Sequence, residues 1–320
     1  MGLAFNQITS RVSDCLQQLP KLSFGGQALS KADTLYRNGD YEACKNMLLA
    51  YLEKHADDTE ALKRVGLCYD KLEQTQEAIA AFTTSLEQDT NDTDTLYNIA
   101  REYAKLNKAD IALGYLEFCE DLLSEEAQTD LDVLYLKACL FEDLNRQTDA
   151  LEVLKSILEA DPEHSCRLYY ADLLLNAERY EEAVIELETF LAQSSQNLEA
   201  RFLLCSTYGK LGYWQDVITA GENILKQHPK HAETCNQIGL AYYAQENYGG
   251  AIDYYQQALE ENPDFELALN NLAYTQLKSE DYEAALETFE HLNSLLAEDS
   301  DEKSEVEEQI SFIRSKLELD

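Results

Sequence analysis

The chain has 320 residues, with 61 acidic against 25 basic side chains and a formal net charge of −36. A surface of that sign repels phosphate backbones and anionic lipid, which excludes nucleic acid as a partner and favours basic or neutral protein partners. Apolar residues are spread through the chain, and no stretch approaches the roughly 20 consecutive apolar residues of a membrane-spanning helix.

The first predicted element is an amphipathic helix over residues 1–24, with Phe5, Ile8, Val12, Leu16 and Leu19 on one face and Pro20 after it. Arg11 and Lys21 supply too little positive charge for attachment to a membrane surface, so the stripe is expected to cover the first repeat. No basic head precedes an apolar run, and Asn6 stands where a myristoylation signal needs Ser or Thr.

From there the same apolar pattern returns about every 34 residues, in units expected at 25–58, 59–92, 93–126, 131–164, 164–197, 198–231, 232–265 and 266–299. The first unit is the least regular: Ala32, Cys44 and Leu48 fit, but Tyr51 fills a slot that is small elsewhere. The second carries Val65, Gly66, Tyr69, Ala78, Phe82 and Ser85, and the third Ile99, Ala100, Tyr103, Ala112, Leu116 and Cys119. After an insertion near Ala127–Asp130 come Ala138, Phe141, Ala150, Leu154 and Pro162, then Ala171, Tyr180, Ala183 and Leu187. The sixth unit has Leu204, Cys205, Tyr208, Gly212 and Pro229; the last has Leu272, Ala273, Tyr282, Ala285 and Phe289. Apolar steps of three and four, as at Leu62, Val65 and Tyr69, give each half-unit one helical stripe. A final helix over 300–320 places Val306, Ile310, Ile313 and Leu317 on one face. Acidic residues lie in its first turns and Arg314 and Lys316 in its last, as the helix dipole favours.

The register is clearest at Ile238, Gly239, Tyr242, Tyr248, Ala251, Tyr255, Ala258 and Pro263, which fall at unit positions 7, 8, 11, 17, 20, 24, 27 and 32. This pattern resembles the tetratricopeptide repeat. The resemblance implies an all-α, right-handed α-solenoid superhelix of about eight helix–turn–helix units with a capping helix at each end. Small residues at positions 8 and 20 are expected where the two helices of a unit approach, with the position-24 aromatic filling space between neighbouring units.

Of the eight cysteines, Cys44, Cys119 and Cys205 fall in small slots of the repeat and Cys68, Cys139, Cys166 and Cys235 at various first-helix positions, with no Cys-x-x-Cys pair, so free thiols in a reducing, cytoplasmic setting are expected rather than disulfides. His228 and His231 flank a repeat junction without a third ligand, and no phosphate loop, serine elbow or metalloprotease motif is present; the reading is non-enzymatic, without cofactor or metal.

The resemblance also implies a concave face lined by first-helix positions 2, 5, 6, 9, 12 and 13. In 59–126 every basic residue except Lys108 falls on such a position, and Lys63, Arg64 and Arg101 carry the signal, beside Tyr97 and Asn98. Further along, the face turns apolar at Tyr135, Leu136, Leu168, Tyr169, Phe202 and Leu203, and then rich in amides at Asn236, Asn270 and Asn271. Lys63 and Asn98 match two positions of the carboxylate clamp found in some family members, while Leu67, Asp132 and Leu136 break the rest. The expected function is a scaffold or adaptor that binds a peptide or partner helix of another protein. Lys63, Arg64, Asn98 and Arg101 would hold an acidic segment and Tyr97, Tyr135, Tyr169 and Phe202 would supply apolar contact. The alternatives are a self-associating structural scaffold and a regulatory subunit of a separate enzyme or assembly complex.

Overall fold

The computed structural model describes residues 27–125, 130–297 and 300–317; the N-terminal stripe at 1–24 and the insertion at 127–129 lie outside them. Among the described residues there are helices and turns and no strand. The helices divide into two compact units, one ending at Cys166 and the other beginning at Arg167.

The first unit holds four helical hairpins: α1 (Gln27–Arg37) with α2 (Tyr41–Leu52), α3 (Thr59–Lys71) with α4 (Thr75–Gln88), α5 (Thr93–Lys105) with α6 (Ala109–Glu125), and α7 (Leu131–Asp143) with α8 (Gln147–Ala160). The second holds α9 (Arg167–Asn176) with α10 (Tyr180–Gln193), α11 (Leu198–Leu211) with α12 (Trp214–Leu225), α13 (Ala232–Ala244) with α14 (Tyr248–Glu261), and α15 (Glu266–Lys278) with α16 (Tyr282–Leu295). It ends in α17 (Asp301–Lys316), whose Val306, Ile310 and Ile313 bury against Phe289 and Leu292 of α16. The chain is an all-α solenoid.

Local chemistry sets where these helices start and turn. Asp58, Asp92, Asp130 and Asn197 cap α3, α5, α7 and α11 by accepting a backbone N–H two or three residues on. Each hairpin turn places one residue in the left-handed region: Gly39, Glu73, Asn107, Asn145, Glu178, Gly212, Glu246 and Glu280, with φ between 55° and 82°. The N–H after it donates to the carbonyl five residues back, as Gln74 does to Tyr69 at 2.9 Å and Lys108 to Tyr103 at 3.0 Å. That six-residue closure ends the first helix and aims the chain back along it.

Packing within a hairpin depends on one close approach. A Cβ on Gly66 would lie 2.5 Å from the Phe82 ring, and one on Gly239 2.5 Å from the Tyr255 ring. The position-24 aromatic lies across the glycine of its own hairpin and, as expected, also packs against the next one: Phe82 clusters with Ile99 and Tyr255 with Leu272. The small position-27 residue closes the base: Ser85 Oγ donates to the Thr59 carbonyl at 3.1 Å.

Within each unit, first helices of successive hairpins touch: α5 meets α7, α9 meets α11, α11 meets α13 and α13 meets α15. Second helices of successive hairpins do not approach as closely. A stack tighter on one side curves toward it, so the first helices line the inner face of each unit.

Candidate functional site

On the first unit, the inner face is crossed by charge pairs linking neighbouring hairpins. Lys63 Nζ lies 3.0 Å from Asp92 and 3.4 Å from Glu60. Burial works against its charge, yet the two carboxylates hold its pKa above the usual lysine value. Arg64 reaches Asp33 of α1 at 3.1 Å and Glu60 at 3.3 Å, and is only 3% exposed. Beside it, Asp33, Tyr36, Cys44 and Leu67 complete the wall of a cavity of about 10 Å³, the size of one water molecule. Arg101 lies 3.7 Å from Asp70, donates to Asn98 Oδ1 at 2.8 Å and sits 5.8 Å above the Tyr97 ring.

Asp70 is the hub. It accepts from Lys105, which also reaches Glu102 at 2.6 Å. Burial pushes the Asp70 carboxyl up, but Lys105 and Arg101 outweigh it and hold it below the usual range. Glu102, 1% exposed, goes the other way: burial, reinforced by Asp70 and opposed by Lys105, pushes it up to about 7. A protonated Glu102 donates to Asp70, the contact that two ionised carboxylates cannot make. Asp94 and Asp132 on the same face are raised chiefly by burial.

The sequence-derived cations are therefore brought together, with their charges answered inside the chain. Arg64 and Arg101 are buried structural pairs, and Lys63 remains partly open, its side chain 22% exposed. Tyr97, Asn98 and Tyr135 are half-buried; the Tyr135 ring lies 6.0 Å from His164. The signal for internal pairing was present in the sequence: Asp33 and Asp70 occupy first-helix positions 9 and 12, on the implied inner face.

On the second unit the inner face is nearly free of charge pairs. Phe202 is half-buried with its ring 5.3 Å from His231, whose Nδ1 caps α13. Asn271 Nδ2 donates to Asn236 Oδ1 at 2.9 Å, joining α15 to α13. Asn236 is buried, while Asn270 and Asn271 are half-buried, as are Tyr243 and Tyr274 nearby. Tyr169 is 4% exposed, so it is part of the packed wall rather than of the open surface.

No described helix is long and apolar enough to cross a membrane. Three family models, each described as tetratricopeptide repeat, match the chain: one at residues 29–93 and 135–204, one at 232–265 and one at 254–287. Tetratricopeptide repeat protein 21 homolog of Caenorhabditis briggsae is 24% identical over 204 residues, which are 58% of this chain and 15% of that protein. DnaJ homolog subfamily C member 3 of Gallus gallus is 22% identical over 260 residues, 80% of this chain and 47% of that protein. The chain thus spans less than half the length of either curated relative. The solved structure of pilF from Pseudomonas aeruginosa aligns with a TM-score of 0.52 at 17% identity, covering 65% of this chain and 93% of that one; the likeness is one of fold. The repeat pattern, the hairpin architecture and these matches agree, and the chain belongs to the tetratricopeptide repeat family.

Proposed function

We propose that this protein is a non-catalytic scaffold that binds a peptide or a helix of another protein along the inner faces of its repeat units. Tetratricopeptide repeats are generally interaction scaffolds, and what they carry differs from chain to chain through the first-helix side chains. The observation that carries the reading is the Asn236–Asn271 pair, with Asn270 and Phe202, along the first-helix face of the second unit. Amides offer both donors and acceptors, which suits a peptide backbone, and an aromatic beside them supplies apolar contact.

On the first unit, Lys63, Tyr97, Asn98 and Tyr135 form the open part of the proposed surface, while Arg64 and Arg101 hold its shape through Asp33 and Asp70. An acidic segment docking there takes Lys63 from Asp92, an exchange of one carboxylate for another that yields little net energy.

A photo-crosslinking amino acid at position 202 tests this. It is expected to form adducts with a protein from the native source, and Asn270→Ala with Asn271→Ala should cut their yield at least fivefold. The same amino acid at position 185 of α10, where Ile185 is 60% exposed, should give none. Equal adducts from both positions would overturn the proposal.

A further inference from the structure

The second unit carries another pocket, on the side away from its inner face. Because second helices splay apart, α10 and α12 leave a wedge between them, floored by α11. The wedge is a pocket of about 310 Å³, within the size range of ligand sites, lined by Leu191, Arg201, Leu204, Ala220, Asn223, Lys226 and Gln227. Leu191, Leu204 and Ala220 are half-buried and make an apolar floor; Asn223, Lys226 and Gln227 stand exposed at the rim.

Its electrostatics run against those of the chain. Arg167, Arg179 and Arg314 of this unit each pair with a glutamate, whereas Arg201 meets no carboxylate within 4 Å among the described residues. Neutral groups hold it instead: Nε donates to the Ser195 carbonyl at 2.6 Å and Nη1 to Gln227 Oε1 at 3.1 Å. The guanidinium is thus fixed in place with its charge uncompensated and its Nη2 hydrogens uncommitted. Among the described residues Lys226 likewise meets no carboxylate and donates to the Asn223 amide oxygen at 3.0 Å. The turn that follows, from Lys226 to His231, contains two lysines and two histidines and no acid, in a chain of net charge −36.

We propose that this wedge is a second binding site, for an acidic peptide segment in which an aliphatic side chain is flanked by carboxylates. The aliphatic group fills the floor of Leu191, Leu204 and Ala220. One carboxylate takes the open edge of Arg201 and another takes Lys226, while Asn223 and Gln227 are placed to bond the peptide backbone. Charge complementarity selects this occupant: the floor admits any apolar group, but an anchored Arg201 and the neighbouring Lys226, neither with a carboxylate within 4 Å among the described residues, favour an anion here in an otherwise acidic chain.

The test is fluorescence anisotropy with the full chain and a fluorescein-labelled, acetylated and amidated peptide of sequence Glu-Leu-Asp-Leu-Glu. Saturable binding is expected, weakened at least fivefold by Arg201→Gln and at least threefold by Lys226→Gln, an exposed change that leaves the fold intact. Ala220→Leu, which fills the floor, should also weaken it, whereas Asn270→Ala on the inner face should not. A peptide with serine in place of leucine should bind at least fivefold more weakly. Absence of saturation by the acidic peptide at millimolar concentration, affinity unchanged in both charge variants, or an equal loss in Asn270→Ala would overturn the assignment. Because the inner-face variant is scored separately, failure here leaves the groove reading standing, and the reverse holds.

Discussion

Replacing Glu102 with glutamine isolates the buried carboxyl of α5 whose ionisation the fold opposes strongly. Its carboxyl is 1% exposed and pushed from an ordinary 4.5 up to about 7. Below pH 4.5 both folded and unfolded chains carry the proton, and its contribution to stability is fully present. As pH rises toward 7 the unfolded chain releases that proton while the folded one keeps it, so stability falls; above 7 the loss is complete. A difference of between two and three pH units at 1.36 kcal/mol each corresponds to roughly 3 kcal/mol. Glutamine keeps the shape, can donate to Asp70 and does not ionise. Urea or thermal unfolding of wild type and Glu102→Gln, followed by amide exchange in α3 and α5, should coincide near pH 4.5. The curves should diverge by about that amount at pH 8, with the variant the more stable. Comparing the two chains cancels the slopes from Asp94 and Asp132, which both share. Midpoints that move in parallel from pH 5 to 8 would refute the reasoning, since Glu102 would then be ionising as it does in water.

Other expectations rest on equally local geometry. Gly66→Ala puts a Cβ 2.5 Å from Phe82, and overpacking of this kind should lower stability by about 1–3 kcal/mol in chemical denaturation. Glu178 holds φ at 58°, so Glu178→Gly should stabilise its hairpin by roughly 0.5–1 kcal/mol once glycine's greater freedom in the unfolded chain is deducted; an equal effect from Glu178→Ala would contradict this. Arg101→Met leaves Asp70 beside Lys105 alone and should cost about 3 kcal/mol in the first unit's unfolding, making Arg101 a residue of the fold before it is one of binding.

The architecture was legible because a solenoid writes its core locally: each hairpin repeats the same small and aromatic slots, and a 34-residue period exposes them to inspection. The close approach of Phe82 to Gly66 was less legible, because position 24 is apolar whether it packs on its own hairpin, on the next, or, as here, on both. The left-handed turn residue had a faint signal in Gly39 and Gly212, diluted by Glu73, Asn107, Asn145, Glu178, Glu246 and Glu280 at the equivalent places.

The cations show the deeper reason that a site is harder to read than a fold. Lys63, Arg64 and Arg101 fall on one face by helical spacing, which is an intrachain rule. Whether that charge is offered to a partner depends on Asp33, Asp70 and Asp92, which lie outside the helix of the cation each one meets. A charge at a buried ladder position is retained only where a counter-charge from the next rung meets it, since an unpaired one is too costly to desolvate. The rungs of the first unit therefore answer their own cations with carboxylates, in a chain of net charge −36. Against that background Arg201 is informative because two neutral acceptors anchor it and no carboxylate meets it among the described residues, with Lys226 on an amide at the same rim.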